Sequence, residues 1–257
     1  MMKRFNHGPS ILFFAVLLLL WEAAVRLWSI DPWMLPAPSL ILKTLAHEWT
    51  RIPENLIATA WIAICGLLSG LAIGLVSAVV LHLSALLKKM IYPLLVLSQN
   101  IPLIALAPLL ILWLGFGMEP KVIVVALVCF FPITVSTLDG FQQTDRTLIM
   151  YMEMAGASRL QRFFKLEWPS ALPSFFSGCK LAATYSVMGA VIAEWLGAKD
   201  GLGVMMQLAS SSFRTDRVFV AILLVAGLSL LLFAAISLIE AWTLRWQIRK
   251  GGDGREA

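Results

Sequence analysis

Six apolar runs, most of them near the ~20 residues that cross a bilayer as a helix, alternate with polar segments along the chain. They occupy residues 11–28, 55–83, 91–114, 121–141, 173–196 and 218–242. A strand edge in lipid leaves backbone groups unpaired, so these runs predict helices. The residue-by-residue alternation of a lipid-facing barrel is missing. The pattern therefore predicts an all-α integral membrane protein: six transmembrane helices in a single domain spanning residues 1–257. Lys3 and Arg4 precede the first run, as they would in a signal peptide. The run continues past Trp21 to Trp28, however, and no small-x-small cleavage site follows a short core. This favours an uncleaved first span.

Composition sharpens that picture. Residues of the AVILMFWYC set make up 60% of the 257, against 14% for Asp, Glu, Lys and Arg, and the mean hydropathy is +0.85. A soluble domain carries roughly 25% charged residues. A cytosolic enzyme, a secreted binding domain and a disordered scaffold are excluded. The net charge of +5 would suggest nucleic acid in a soluble protein. Here the cations sit in short segments between apolar runs, where they orient the chain in the membrane, and no nucleic-acid partner is expected. Twelve Lys and Arg fall on one side: Lys3, Arg4, Lys88, Lys89, Arg146, Arg159, Arg162, Lys165, Arg245, Arg249, Lys250 and Arg255. Seven fall on the other: Arg26, Lys43, Arg51, Lys121, Lys199, Arg214 and Arg217. The richer side is predicted to be cytoplasmic. That puts a multi-pass protein in the inner membrane with both termini inside. Cys65, Cys129 and Cys179 each lie inside an apolar run and read as small buried residues.

Two inter-span segments carry structure of their own. Residues 31–53 are predicted to be external, contain Pro32, Pro36, Pro38 and Pro53, and hold a short helix after Ser39. Residues 144–172, TDRTLIMYMEMAGASRLQRFFKLEWPSAL, are predicted to be internal. Leu148, Met152 and Ala155 form one apolar set at helical spacing. Leu160, Phe163, Phe164 and Leu166 form a second. Gly156 divides them and permits a sharp turn. Pro169 and Pro173 close the loop and favour a new helix. Two short helices beneath the membrane follow, with Arg159, Arg162 and Lys165 facing water or headgroups. Such a segment is either an interfacial connector or a docking surface for a cytoplasmic partner.

Three motifs in order now resemble one family. GASRLQRFFKLEWPSALP, from Gly156, resembles the coupling loop of ABC-transporter permeases of the binding-protein-dependent import class. AEWLGAKDGLGVMM, Ala193 to Met206, is similar to the nitrate, sulfonate and taurine branch of those permeases. NIPLIALAPLLILWLGFG, Asn100 to Gly117, is similar to that branch's proline-rich central span. The resemblance runs from about Leu56 to the end of the last apolar run. It departs in one place: where the family has an acidic-Ala-Ala triplet six residues before the loop glycine, this chain has Met150, Tyr151 and Met152, with Glu153 out of register. The resemblance implies the type I importer-permease fold. It implies that Gly156, Ala157, Ser158, Arg159, Arg162 and Phe163 form the ATPase-coupling surface.

The chemistry agrees with a non-enzyme. No G-x-x-x-x-G-K-[ST] phosphate loop is present, so ATP would be handled by another polypeptide. His7, His47 and His82 are far apart in sequence and lack ligand spacing, and read as surface or interface residues. Neither metal nor cofactor is expected. Ionisable residues inside the spans are costly and are functional candidates: Glu22, Asp139, Lys180, Glu194 and Glu240. Structural pairing or snorkelling is favoured for Glu22 and Glu240, and a solvated cap is an equal reading for Asp139. Glu194 either lines an outer mouth or bonds the backbone of the glycine turn Gly201 to Gly203. Gln99, Asn100, Pro102 and Pro108 give the third span a bent, polar character. That suits a pathway lining, although a plain proline kink would look the same. Tyr185 joins this pathway set. Gly66, Gly70 and Gly74 recur every four residues and permit close helix packing.

The resemblance implies an import assembly: two permease copies, in which this chain pairs with itself, two ABC ATPase subunits, and one extracytoplasmic solute-binding protein, all in lipid. The branch includes importers of sulfonates, taurine, nitrate, thiamine-related pyrimidines and riboflavin. An oxyanion route would want cations or helix N-termini. Lys180 is the only deep cation, whereas the pathway set, which includes Glu194, is neutral or acidic (Gln99, Asn100, Thr184, Tyr185, Ser186 and Glu194), and Trp113, Trp195 and Tyr185 offer stacking faces. A neutral or cationic heterocycle such as a thiamine-precursor pyrimidine is therefore expected, with sulfonate, taurine or nitrate as the alternative. The rival class is an ion-coupled secondary transporter, which would want inverted repeats; no internal symmetry is evident.

Overall fold

A computed structural model describes residues 8–50, 52–100 and 102–245. His7 and several terminal cations in the orientation count, together with Arg51, lie outside those residues. Among the described residues the chain is helical, and five helices are long and apolar enough to cross a membrane.

The first is α1, Gly8–Leu27, which is largely exposed to the surroundings. The amphipathic α2, Pro38–His47, begins two residues before the predicted start, with proline supplying its preset first turn. α3, Ile52–Leu83, runs 32 residues, or about 48 Å at 1.5 Å per residue. It outreaches a hydrocarbon core of roughly 30 Å.

The third predicted span departs from expectation. It is two helices, α4, Ala85–Ser98, and α5, Leu103–Leu114, broken around Gln99 and Asn100. Ser84 caps α4 by accepting the Leu87 amide. Pro102 stands at the N-cap of α5 with φ −61° and ψ 119°. Proline disfavours helical backbone at the residue before it, so the helix stops instead of merely bending.

α6, Glu119–Gln142, is the central helix. α7, Arg146–Met154, and α8, Arg159–Arg162, form the loop predicted to be internal. A π-helical turn, Phe163–Glu167, joins α8 to α9, Trp168–Glu194. Pro169 therefore sits in the first turn of α9, and Pro173, expected to open a new helix, lies inside it. A helix absent from the sequence reading, α10, Leu202–Ser211, precedes α11, Thr215–Thr243.

The core is the seam between α3, α6 and α9. Ile62, Ala63 and Leu67 of α3 meet Val125, Cys129 and Ile133 of α6, and Cys179, Ala183 and Val187 of α9. The glycine stripe lies in this seam. A Cβ on Gly66 would fall 2.4 Å from the Val125 side chain, and one on Gly70 would fall 2.7 Å from the Ala126 carbonyl oxygen. Lipid gives no hydrophobic drive for helices to associate, so close backbone approach supplies dispersion and polar contacts instead. Thr134 Oγ1 donates to the Gly74 carbonyl at 3.2 Å across the same seam.

α11 packs on α9 through Leu232, and Lys180 Nζ lies 2.8 Å from Glu240 Oε2. The deep cation and the acidic residue of the last span are thus partners. Glu22 is occupied too. It accepts from the Ser39 amide at 3.0 Å and the Ser39 hydroxyl at 2.7 Å, and so fastens α1 to the start of α2.

Candidate functional site: the loop between α6 and α9 and the glycine turn before α10

The loop between α6 and α9 folds as two short helices hinged at one glycine. Asp145 caps α7 by accepting the Thr147 amide at 2.8 Å. Gly156 then adopts φ +74°, a left-handed conformation that ends the helix without a Cβ penalty. Ser158 starts α8 with a reciprocal capping box: its Oγ accepts the Gln161 amide, and Gln161 Oε1 accepts the Ser158 amide at 2.8 Å. Gly156, Ser158, Arg159 and Leu160 are exposed and Ala157 is half-buried. Phe163, by contrast, is buried against Phe141 and Ala171 and anchors the loop.

Of the three loop cations, Arg162 departs from expectation, whereas Arg159 and Lys165 are exposed as read from the sequence. Arg162 instead donates through Nε to Glu167 Oε1 at 2.8 Å and pairs with Glu153 of α7. Arg159 donates to the carbonyl of Leu83, the last residue of α3. His82, read from sequence as a surface or interface residue, is paired as well. Its Nε2 lies 2.6 Å from Glu167 Oε2, and its ring stacks on Phe141 with centroids 4.2 Å apart. Sequence spacing could not reveal this cluster, because His82 and Glu167 are 85 positions apart.

The opposite end of α9 has its own built turn. Glu194 is 1% exposed, and its Oε2 accepts the Gly203 amide at 2.7 Å in the first turn of α10. Of the two roles left open for Glu194, the bond to the glycine turn is the one the geometry contains; the side chain faces no open surface. A carboxylate at that helix start also meets the positive end of its dipole. Asn55 Oδ1 accepts the Gly201 amide at 2.9 Å and Thr59 Oγ1 accepts the Leu202 amide at 2.8 Å. Gly201, at φ +138°, is required here: a Cβ would sit 2.3 Å from the Glu194 carboxyl carbon. The glycines of AEWLGAKDGLG thus let α9, α10 and α3 close on one buried acid.

Beside this turn, Thr44 Oγ1 donates to Asp216 Oδ2 at 2.9 Å, Arg214 grips Asp216 at 3.0 and 2.9 Å, and Arg217 pairs with Glu48. The Asp216 carboxylate holds the Arg214 guanidinium above its ordinary pKa range. These charges border a cleft of about 270 Å³ between α3 and α10. Its lining also includes Lys199 and Asp200.

The remaining pathway candidates lie elsewhere. Gln99, Asn100, Pro102 and Pro108 are exposed at and beyond the break between α4 and α5, and Asn100 Nδ2 donates back to the Val96 carbonyl at 3.3 Å. Tyr185 is 37% exposed, on the face of α9 that also presents Leu181, Thr184 and Met188.

Comparison with known proteins follows from this geometry. Residues 70–245 match the family model described as "Binding-protein-dependent transport system inner membrane component". The formylaminopyrimidine transport permease protein ThiX of Halalkalibacterium halodurans is 37% identical over 96% of this chain and 99% of its own. The riboflavin transport system permease protein RibX of Chloroflexus aurantiacus is 33% identical over 90% of this chain and 87% of its own. The fold is also that of a chain in an inward-facing MetNI methionine ABC transporter, with a TM-score of 0.65, 19% identity, and coverage of 75% of this chain and 95% of that one.

Proposed function

We propose a mechanism from the premise that this chain belongs to the family of binding-protein-dependent transport inner membrane components, the permeases of ABC importers. Two copies of the chain enclose the pathway, and the loop of α7 and α8 receives an ABC ATPase subunit from the cytoplasmic side. Both termini share that side. A solute-binding protein docks over the outer cleft and delivers its cargo between the copies. ATP-driven closure of the ATPases moves the loop, and the spans rock from outward- to inward-facing. Exposed polar groups at Gln99, Asn100 and Tyr185 line the route. This chain carries out no bond chemistry.

The observation that carries this reading is the loop itself. Ser158, Arg159 and Leu160 stand exposed on a glycine hinge while Phe163 holds the loop to the core. A mere connector would not need a capped four-residue helix braced by ion pairs. Co-purification with the neighbouring ATPase subunit tests it. The wild-type chain should bring the ATPase down, and Leu160→Glu should release it while inserting normally. Retention by that variant would mean the ATPase docks elsewhere.

For the solute, we favour a thiamine-precursor pyrimidine or similar flat heterocycle. The relatives named for formylaminopyrimidine and riboflavin support it, as do the exposed rings of Trp113, Tyr185 and Trp195. An alkanesulfonate or taurine is the alternative, since other relatives are named for them. Calorimetry on the solute-binding protein encoded beside this gene separates the two. Binding of the sulfonate but not of the pyrimidine would reverse the choice.

A further inference from the structure

The π-helical turn Phe163–Glu167 carries a buried acid that serves two partners at once. Glu167 is 6% exposed. One oxygen lies 2.6 Å from His82 Nε2, in the last turn of α3, and the other accepts from Arg162 Nε at 2.8 Å. Arg162 passes the connection on to Glu153 of α7. Arg159 makes a parallel tie from α8 to the Leu83 carbonyl. The His82 ring is held flat against Phe141 of α6, at an interplanar angle of 18°, and Phe163 and Trp168 close around the Phe141 ring at 5.7 and 6.2 Å.

Three physical facts give this cluster a direction. A buried carboxylate is tolerable only while paired, and removing one partner of a buried pair is strongly destabilising. Arg162 travels with Glu167, so a loop that moves away from α3 keeps one partner for the acid and breaks its contact to His82. A π turn holds one residue more than the α-helical repeat accommodates, and such turns concentrate at functional sites. It is the point where α8 can change its angle to α9 without breaking a regular ladder. α3, finally, is packed along its glycine stripe against α6, so displacement at His82 reaches the core seam.

We propose that Glu167 and His82 are positioning residues that lock the cytoplasmic loop to the end of α3, so that a push on the loop moves α3 while the turn 163–167 pivots against α9. The covalent routes from the loop to the membrane lead into α6 and α9, and the Glu167–His82 pair opens a further route into α3. This inference rests on the reading of the loop as the ATPase-docking surface. It differs in naming the side chains that carry the motion inward.

The test uses the complete complex, permease with its ATPase and solute-binding protein, in proteoliposomes, with solute uptake and ATP hydrolysis measured together. In His82→Gln the acid keeps Arg162, so folding is secure. Glu167→Gln keeps the hydrogen-bonding shape and removes the charge. Each should still co-purify with the ATPase and hydrolyse ATP, while solute moved per ATP falls at least about fivefold, the low end of ordinary coupling between sites. The double variant should lose no more than the worse single one, because both break one link. An unchanged ratio in His82→Gln, or losses that add in the double variant, would overturn the proposal. Loss of the ATPase from the wild-type complex would instead refute the docking reading on which it rests.

Discussion

At Gly156 nothing lies within 4 Å of where a Cβ would be, so the glycine is there for its φ of +74° and not for space. A left-handed backbone costs an L-residue about 1–2 kcal/mol, and Asn bears it better than a β-branched residue does. Gly156→Asn should therefore transport close to wild type, whereas Gly156→Val should insert normally and lose most uptake. Equal uptake by the two, measured at matched membrane abundance, would mean the turn geometry is irrelevant. This glycine was legible in the sequence because it separates two apolar sets at helical spacing. The partners of Arg162 were not: Glu153 and Glu167 become neighbours only once the hinge folds α7 back on α8, and one-dimensional spacing holds no record of that fold-back. Glu194 was half legible. Its position before a glycine turn suggested backbone bonding, but burial to 1% depends on α3 and α10 closing over it.

Between helices, the Lys180–Glu240 pair is the sharpest case. Its side chains are about one-fifth exposed, and in lipid each charge depends on the other. Glu240→Gln should leave Lys180 without a counter-charge and lower thermal stability in detergent by about 3 kcal/mol, the order measured when a buried pair is broken. The double variant Lys180→Met/Glu240→Leu should recover most of that loss. A double variant less stable than the single one would show that the charges do something other than satisfy each other. Helices of this scale were read well wherever an apolar run was unbroken. The third run was misread because the second half of α4 and all of α5 are apolar, and hydropathy is blind to a break that proline geometry makes. α10 was missed because its ten residues are too short to signal as a span and its start is fixed by Glu194, Asn55 and Thr59 from other helices.

For the molecule as a whole, orientation is the first thing to establish. Ser158 and Ser211 are both exposed, one on the loop and one at the end of α10. With each replaced singly by Cys in a background lacking the native cysteines, an impermeant thiol reagent on intact cells should modify position 211 and spare 158. Modification at 158 would invert the topology and remove the loop from the ATPase. The all-α membrane architecture was open to sequence reading because lipid constrains it so strongly: length and apolarity mark the long helices. The assembly is encoded in surfaces that one chain leaves unpaired, and those surfaces come to light by function. The most direct test of the account is uptake of labelled formylaminopyrimidine into proteoliposomes carrying the permease and its ATPase, with binding protein outside and ATP inside. The account predicts uptake that requires ATP and binding protein together and persists when ionophores collapse every ion gradient. Uptake without ATP, driven by an imposed ion gradient, would contradict it.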